Sequence, residues 1–417
     1  MRRLTALKGY ISFWLYIMFF KIGAGLQYTL LAPLGARILP VWVVGGVLFM
    51  STMLQVILDI PAGKLLDKYG YKRMLLLGTS GALIGVLVFF YGITLQTFVL
   101  SVFLVDFGWL FWTPGTNAYI LSNASKTQSI KFMAYRDVFG AFGIVIGVVL
   151  LPFVVNAAGG VLAVLLGGAL VASMIVLSIA PRERKQINAE KNPNPHLNTH
   201  VQRAYLFANA SKAIKRLTPA STLLLLLDFS SGIFYGVVWF VIPLIIASAL
   251  YNGVLLSAGL AAIDFTTIIV GSYLSRLTKS NTLKGLIFAG LVLFSASGFL
   301  LGTSFGAVFI LFAILSSTGD EMASLPLWVW LHQLDKKHNQ DGLISGILEL
   351  GSELGWALGP LTAGILYTIV GPSWAIALGA IPVAVVLCIY YFSVRKHVIK
   401  MSLFIVPPRP HRARHKS

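Results

Sequence analysis

The chain has 417 residues, of which 57% are hydrophobic and 11% are charged, and its mean hydropathy is +0.84. Soluble globular domains carry about 25% charged residues, so this composition excludes a soluble fold and predicts an integral membrane protein. The net charge of +18 does not indicate nucleic acid, because its distribution is that of membrane loops, and the single cysteine, Cys388, excludes an intramolecular disulfide.

The length of the apolar stretches predicts an all-α fold, because a helix that spans a bilayer needs about 20 mostly apolar residues. Twelve segments are expected, at about 9–36, 41–66, 73–94, 97–121, 132–155, 159–180, 220–248, 253–276, 283–303, 306–331, 342–369 and 372–394. Of the 32 lysine and arginine residues, 30 fall on one side of these segments, and Lys21 lies within the first. By the positive-inside rule, both termini and the central loop are expected in the cytoplasm of a multi-pass cell-membrane protein.

The loop between the second and third segments, residues 59–73, has the sequence DIPAGKLLDKYGYKR. It resembles the cytoplasmic loop of the major facilitator superfamily, whose pattern is Gly-x-Leu-x-Asp-Arg/Lys-x-Gly-Arg-Arg/Lys. The matching residues are Gly63, Leu65, Asp67, Lys68, Gly70 and Lys72, and we assign Asp59 and Arg73 to the same cytoplasmic gate loop. Tyr71 stands where the family usually carries arginine, so the sequence does not predict one of the charge contacts that this loop usually makes. We expect a tight turn at Gly70 with a φ above zero, which glycine adopts at little cost.

The resemblance implies two pseudo-symmetric halves of six helices joined by a cytoplasmic linker. The halves are expected at 1–180 and 220–394, the linker at 181–219 and a basic cytoplasmic tail at 395–417. Basic residues in the linker and tail favour contact with anionic lipid headgroups, while a solvated linker stays open as the alternative. In the family, helices one, four, seven and ten line a central cavity, and helices three, six, nine and twelve face lipid.

Acidic residues are unusually frequent in the predicted segments, although an ionised group is costly in a bilayer. Nine of the 14 lie there: Asp59, Asp106, Asp137, Asp228, Asp264, Asp320, Glu321, Glu349 and Glu353. Segments one, four, seven and ten carry Lys21, Asp106, Asp228 and the Asp320/Glu321 pair, which agrees with the cavity that the resemblance implies. We expect seven residues to bind substrate or couple protons: Lys21, Asp106, Asp228, Asp320, Glu321, Glu349 and Glu353.

Helical spacing extends these charges into polar and aromatic faces. Segment four has Asp106, Trp109, Thr113 and Asn117 at i, i+3, i+7 and i+11, and segment seven has Asp228, Ser231, Tyr235 and Trp239 at the same spacing. The expected aromatic and polar lining of the cavity is Tyr28, Trp109, Asn117 and Tyr235. For each aromatic residue, ordinary packing or an interfacial position is the alternative.

Segment eleven carries two carboxyl groups one turn apart, Glu349 and Glu353, and a second face of three glycines, Gly351, Gly355 and Gly359. Small residues at this spacing favour close helix packing. The two carboxyl groups are candidates for proton coupling, and the alternative for Glu349 is contact with cytoplasmic water.

The expected function is proton-coupled secondary active transport by alternating access, with export of small organic solutes. An acid-rich cavity favours cationic or lipophilic cationic solutes. Uptake of a small metabolite by proton symport is the alternative, because segment four has no arginine and residues 140–147 lack the Gly-Pro element typical of antiporters. A transporter-like sensor or a protein that moves lipid also stays open.

The sequence has no motif of an enzyme active site: a His-Glu-x-x-His metal motif, a Gly-x-Ser-x-Gly elbow and a Walker loop are all missing. We therefore expect no catalytic residues, cofactor or metal. The expected partners are a small-molecule substrate, protons and membrane lipid, with no nucleic acid, and the protein is expected to be a monomer.

Overall fold

The computed structural model describes residues 10–92, 94–123, 126–154, 159–181, 219–248, 253–277, 283–304, 306–338 and 341–395. Nearly all of the predicted linker at 181–219 and of the predicted tail at 395–417 lies outside these ranges.

Helices account for almost all of the described residues. They are α1 (Ile11–Gly35), α2 (Val41–Tyr69), α3 (Tyr71–Tyr91), α4 (Leu95–Asn123), α5 (Lys126–Val154), α6 (Gly159–Ile179), α7 (Pro219–Ser248), α8 (Gly253–Leu277), α9 (Leu283–Thr303), α10 (Ala307–His338), α11 (Asp341–Val370), α12 (Pro372–Gly379) and α13 (Ile381–Arg395). Within the described ranges, 11 spans are long and apolar enough to cross a membrane, and α6 adds a shorter apolar helix at Leu165–Ile179.

Several helices are longer than the apolar segments that predicted them. α2 continues to Tyr69, α4 continues to Asn123, α5 begins at Lys126 and α10 ends at His338. Polar residues end an apolar segment but do not end a helix, because the helix satisfies its own backbone hydrogen bonds in water as well as in lipid.

The twelfth segment, expected at 372–394, is confirmed as a membrane span at Pro372–Ser393, although its helix is interrupted once. The structure divides it at Ala380 into α12 and α13. Pro382 gives the physical reason, because proline has no N–H and its ring clashes with the carbonyl group four residues earlier. The Ala380 amide instead donates to the Ala377 carbonyl oxygen at 3.2 Å, which is a tighter turn than an α-helix makes.

The two halves repeat the same helix packing. In the first half α1 packs against α5 and α3 against α4, and in the second half α7 packs against α11 and α9 against α10. Glycines make each of these contacts close: a Cβ on Gly78 would lie 3.0 Å from the Gly108 oxygen, and one on Gly290 would lie 2.8 Å from the Gly319 oxygen. Small residues let helix backbones approach in this way where lipid offers no hydrophobic driving force.

The halves meet mainly along two seams, one between α2 and α11 and the other between α5 and α8, and α1 also contacts α7. Gly45 of α2 touches the Pro360 carbonyl group of α11, and a Cβ on Gly253 of α8 would lie 3.4 Å from the Pro152 side chain of α5. These contacts lie toward the end of the bundle opposite the 59–73 loop, which we call the far end. The end that carries the 59–73 loop is the loop end.

Candidate functional site

The centre of the first half holds a lysine between two tryptophans. The Lys21 Nζ atom of α1 lies 4.2 Å from the ring centroid of Trp109 and 4.2 Å from that of Trp112, both on α4. The tryptophans are three residues apart, so their rings lie side by side, with centroids separated by 5.3 Å. A cation over tryptophan faces is attracted by the ring quadrupole, so α4 forms an aromatic cage for the ammonium group of α1.

Two further aromatic rings enclose this cage. Phe20 stacks on Trp112 at 5.6 Å, and Tyr28 meets the edge of Trp109 at 5.6 Å. The indole N–H groups of Trp109 and Trp112 are buried and have no hydrogen-bond partner in the described part of the chain. The cage therefore has polar groups that nothing described satisfies.

The backbone of α5 lies on the other side of Lys21. A Cβ on Gly143 would lie 2.7 Å from the Lys21 Cβ atom, and one on Gly140 would lie 3.8 Å from its Cε atom. A larger side chain at position 143 would push Lys21 out of its place. The glycines of α5 thus position the lysine in the cage.

Asp106 lies on α4 one turn before Trp109 and is 6% exposed. Its charge acts on the Tyr28 hydroxyl, and Ser51 of α2 lies beside its carboxyl group. The Ser51 hydroxyl is buried, and it makes no hydrogen bond with the described residues. The predicted residues of the first half are thus connected in a chain, because Lys21 lies over Trp109, Trp109 contacts Tyr28, and Asp106 acts on Tyr28.

Asn117, the fourth residue of the predicted face of α4, lies elsewhere. Its side-chain oxygen accepts a hydrogen bond from Arg136 of α5, whose Nη2 atom also pairs with Asp137 at 2.6 Å. Arg136 is 20% exposed and Asp137 is 60% exposed, so this network has access to solvent. Asn117 therefore ties α4 to α5, and the charges of Arg136 and Asp137 in the same network also act on Lys21.

In the second half, a carboxyl group on α10 is held by α7. The Ser231 hydroxyl donates to the Asp320 Oδ1 atom at 2.9 Å, and the Tyr235 hydroxyl lies toward the same carboxyl group. The charge of Asp320 acts on both Asp228 and Glu321. The predicted residues Asp228, Tyr235, Asp320 and Glu321 therefore form one acidic cluster, which we call the C-half cluster.

Asp264 of α8 lies between the lysine cage and the C-half cluster. Its carboxyl group interacts with the charge of Lys21 across the two halves, and it also acts on Tyr235. Its Oδ2 atom is buried without a hydrogen bond among the described residues. The one ion pair within 4.0 Å in those ranges joins Arg136 to Asp137, so Lys21 and Asp264 face each other without direct contact.

Sequence reasoning counted Asp264 among the intramembrane acids but did not assign it to the site. Neither the superfamily pattern of cavity helices nor the spacing along α8 pointed to it. Trp112 was also missed, although its position three residues after Trp109 was a usable signal. Both residues belong to the site because of the way their helices pack against others, and a single sequence does not show which helices pack together.

Residues 59–73 were predicted as a loop, but the structure contradicts most of this, because α2 continues to Tyr69 and α3 begins at Tyr71, so Gly70 alone forms the turn. We keep the name 59–73 loop for these residues, and their own contacts fix the turn. Gly70 has a φ of 90°, and the Tyr71 hydroxyl donates to the Asp67 Oδ1 atom at 3.3 Å. Lys72 donates to the Ser178 and Ala180 carbonyl oxygens at 2.8 and 2.6 Å. A cation at the last carbonyl groups of α6 satisfies acceptors that the helix leaves open.

The other residues of the predicted gate loop differ in exposure. Asp59 is 4% exposed and Gly63 is buried, while Lys68 and Arg73 are exposed at the loop end. The tyrosine at position 71 thus replaces the charge contact of the family's arginine with a hydrogen bond to Asp67.

The three glycines of α11 lie on one closely packed face, as their spacing predicted, and the structure shows that this face meets α7. A Cβ on Gly355 would lie 3.0 Å from the Gly232 Cα atom and would meet the Phe229 carbonyl group, and Gly359 touches Gly236. Glu353 lies half-buried on another face of the same helix, whereas the Glu349 side chain lies outside the described part of the structure. Within that part, no group of three or more His, Cys, Asp or Glu side chains could hold a metal ion.

Comparisons with known proteins agree with this architecture. The family model described as Major Facilitator Superfamily matches residues 9–341. Among solved structures, the chain is similar to a crystal structure of the E. coli fucose:proton symporter, FucP, with a TM-score of 0.55 and 14% identity, over 93% of this chain and 98% of that chain. At this identity the likeness shows the fold alone. Comparison with individual curated proteins gives no match.

Because the family model spans well over half of the 417 residues, the chain belongs to the major facilitator superfamily, as a multi-pass membrane transporter of twelve transmembrane helices in two six-helix halves.

Proposed function

We propose that this chain is a proton-coupled secondary active transporter that exports small organic cations across the cell membrane by alternating access. Both termini, the linker at 181–219 and the tail at 395–417 lie on the cytoplasmic side in this proposal, and the loop end faces the cytoplasm.

The observation that carries the proposal is the C-half cluster. Asp320 acts through its charge on both Asp228 and Glu321, and Asp264 extends the acidic surface toward Lys21. The centre of the first half contributes one ammonium group, that of Lys21, and one further carboxyl group, that of Asp106. An excess of negative charge between the halves attracts a cationic solute.

Proton coupling follows from the same geometry. Neighbouring carboxylates in a site of low dielectric repel one another, so such a cluster binds either a cation or protons more readily than it stays fully ionised. Competition between a proton and a cationic solute for Asp320 and its neighbours is the physical basis of exchange. Ser231 holds Asp320 in place for either occupant.

Alternating access is supported by the seams between the halves. The contacts of Gly45 with Pro360 and of Gly253 with Pro152 lie toward the far end. In this proposal these contacts separate the C-half cluster from the far end, and rocking of the halves about the two seams would open the cluster to that end. The hydrogen bonds of Tyr71 and Lys72 join the loop to α2 and α6, so the first half moves as one body.

Uptake of a small metabolite by proton symport is the second candidate. The observation that favours it is the fold shared over 93% of the chain with a protein described as a fucose:proton symporter. A symporter would use the same carboxyl groups to take up a proton together with its solute.

Thermal stability of the purified protein in detergent separates the two candidates, because a ligand that binds the folded state raises the unfolding temperature. The measurement uses lipophilic cations such as tetraphenylphosphonium and a set of small polar metabolites, each at two pH values. Stabilisation by the cations that weakens at low pH supports export by exchange with protons. Stabilisation by the polar metabolites alone supports uptake and contradicts export.

A further inference from the structure

The lysine cage has the composition of a binding site for an organic cation, yet a group of the protein itself fills it. Two tryptophan faces at 4.2 Å from one ammonium group are the arrangement by which aromatic cages recognise quaternary ammonium ligands. Phe20 and Tyr28 complete the walls, and the indole N–H groups of the two tryptophans have no partner in the described ranges.

A second place for the lysine lies across the boundary between the halves. Asp264 interacts with the charge of Lys21 from a distance beyond 4.0 Å, and its buried Oδ2 atom accepts no hydrogen bond among the described residues. Lysine has a flexible four-carbon stem with a compact charge at its end. Rotation of that stem toward α8 would empty the cage and bring the ammonium group nearer to the Asp264 carboxyl group.

We propose that Lys21 is a tethered competitor for an organic cation in the Trp109 and Trp112 cage. In the empty transporter the ammonium group of Lys21 occupies the cage. When the solute enters, it takes the two tryptophan faces, and Lys21 swings to Asp264 and joins the two halves. The proposal rests on the cationic substrate class proposed above, and it adds the place of the cation and the group that it displaces.

This arrangement explains why a positive residue lies in a transporter proposed to bind cations. A cage without Lys21 would leave two tryptophan faces for any cation in the cell. With Lys21 present, a solute binds only if it interacts with the cage more strongly than the tethered ammonium group does. Lys21 would thus set the affinity threshold for the solute.

The test is the binding of tetraphenylphosphonium to the purified protein in detergent, measured by equilibrium dialysis against a detergent blank. Lys21→Met removes the ammonium group but keeps an unbranched side chain one atom shorter, and we expect it to tighten binding by about threefold to thirtyfold, the range of a cation–π contact. Lys284→Met, at an exposed position at the start of α9, makes the same change in net charge and is expected to leave binding unchanged.

A gain in the Lys21→Met variant could also come from its general loss of positive charge, and Trp112→Phe separates the two causes. Phenylalanine keeps an aromatic ring but attracts a cation less strongly than tryptophan does. We expect Trp112→Phe to remove most of the gain when it is combined with Lys21→Met. A gain that persists in the double variant overturns the proposal.

The remaining outcomes separate this proposal from the proposed function. Equal binding by the original protein and by Lys21→Met contradicts the tethered competitor and leaves cation export standing. Binding by neither protein contradicts the tethered competitor and the cationic substrate class together.

Discussion

Lys21 on α1 and Asp264 on α8 carry opposite charges that interact across the boundary between the two halves, but no direct ion pair within 4.0 Å joins them. Lys21 instead lies over the rings of Trp109 and Trp112. The pair therefore links the cage of the first half to the C-half cluster without closing the space between them.

Replacing Asp264 with asparagine is expected to reduce gradient-driven flux in proteoliposomes by about tenfold or more. The change leaves the buried ammonium group of Lys21 without the opposing charge of α8, and a buried charge without such compensation is costly. Asp264→Glu keeps the charge and should retain a large part of the flux. Full flux in the asparagine variant would show that Asp264 has no part in transport.

The hydrogen bond from Ser231 to Asp320 should contribute to stability as well as to position. Ser231→Ala removes the donor to a charged acceptor, which is worth about 1.5–3 kcal/mol, so the unfolding temperature in detergent should fall. Ser230→Ala, at the adjacent buried position, makes the same change away from Asp320 and should have a smaller effect. Equal shifts in the two variants would contradict the importance of this bond.

The contact between α7 and α11 is expected to tolerate no side chain at Gly355. Gly355→Ala would force the new methyl group against Gly232 and the Phe229 carbonyl group, at a cost of about 1–3 kcal/mol or more. Gly46→Ala is the matched control, because a Cβ there meets nothing within 4 Å and alanine favours a helix. Thermal unfolding of the two variants in detergent should separate them clearly, and a stable Gly355→Ala protein would disprove the close contact.

Lys72 connects the gate loop to the end of α6 by two hydrogen bonds. Lys72→Met should slow turnover in proteoliposomes severalfold, since the first half would no longer move as one body, while the affinity for the solute changes little. Lys64→Met, on an exposed position of α2, removes a charge outside these contacts. A loss of affinity without a loss of rate in the Lys72 variant would place Lys72 in the binding site and contradict a role in closure.

Much of the architecture could be predicted from the sequence. Apolar length gave the spans, and the glycine spacing of α11 identified the face that packs against α7. The end of α4 was predicted too early and the start of α5 too late, because a helix continues past the apolar stretch that predicts it. The division at Ala380 was missed, although Pro382 was visible in the sequence.

The candidate site was harder to predict. The spacing of Ser231 and Tyr235 gave a common face, and the structure sets that face against Asp320. Asp264 and Trp112 were not assigned, because one sequence gives the faces of each helix but not which faces meet. Asn117 had the right spacing on α4, but its side chain is bound to Arg136.

Gradient-driven flux of tetraphenylphosphonium in proteoliposomes tests the central claim most directly. We expect a pH gradient to drive flux by the original protein, and Asp320→Asn to abolish that flux while leaving the protein folded, because the substitution removes the carboxyl charge for which protons and the cation compete. Asp228→Asn is expected to have the same effect. Flux that persists at the original rate in the Asp320→Asn protein would contradict a proton-coupled C-half cluster.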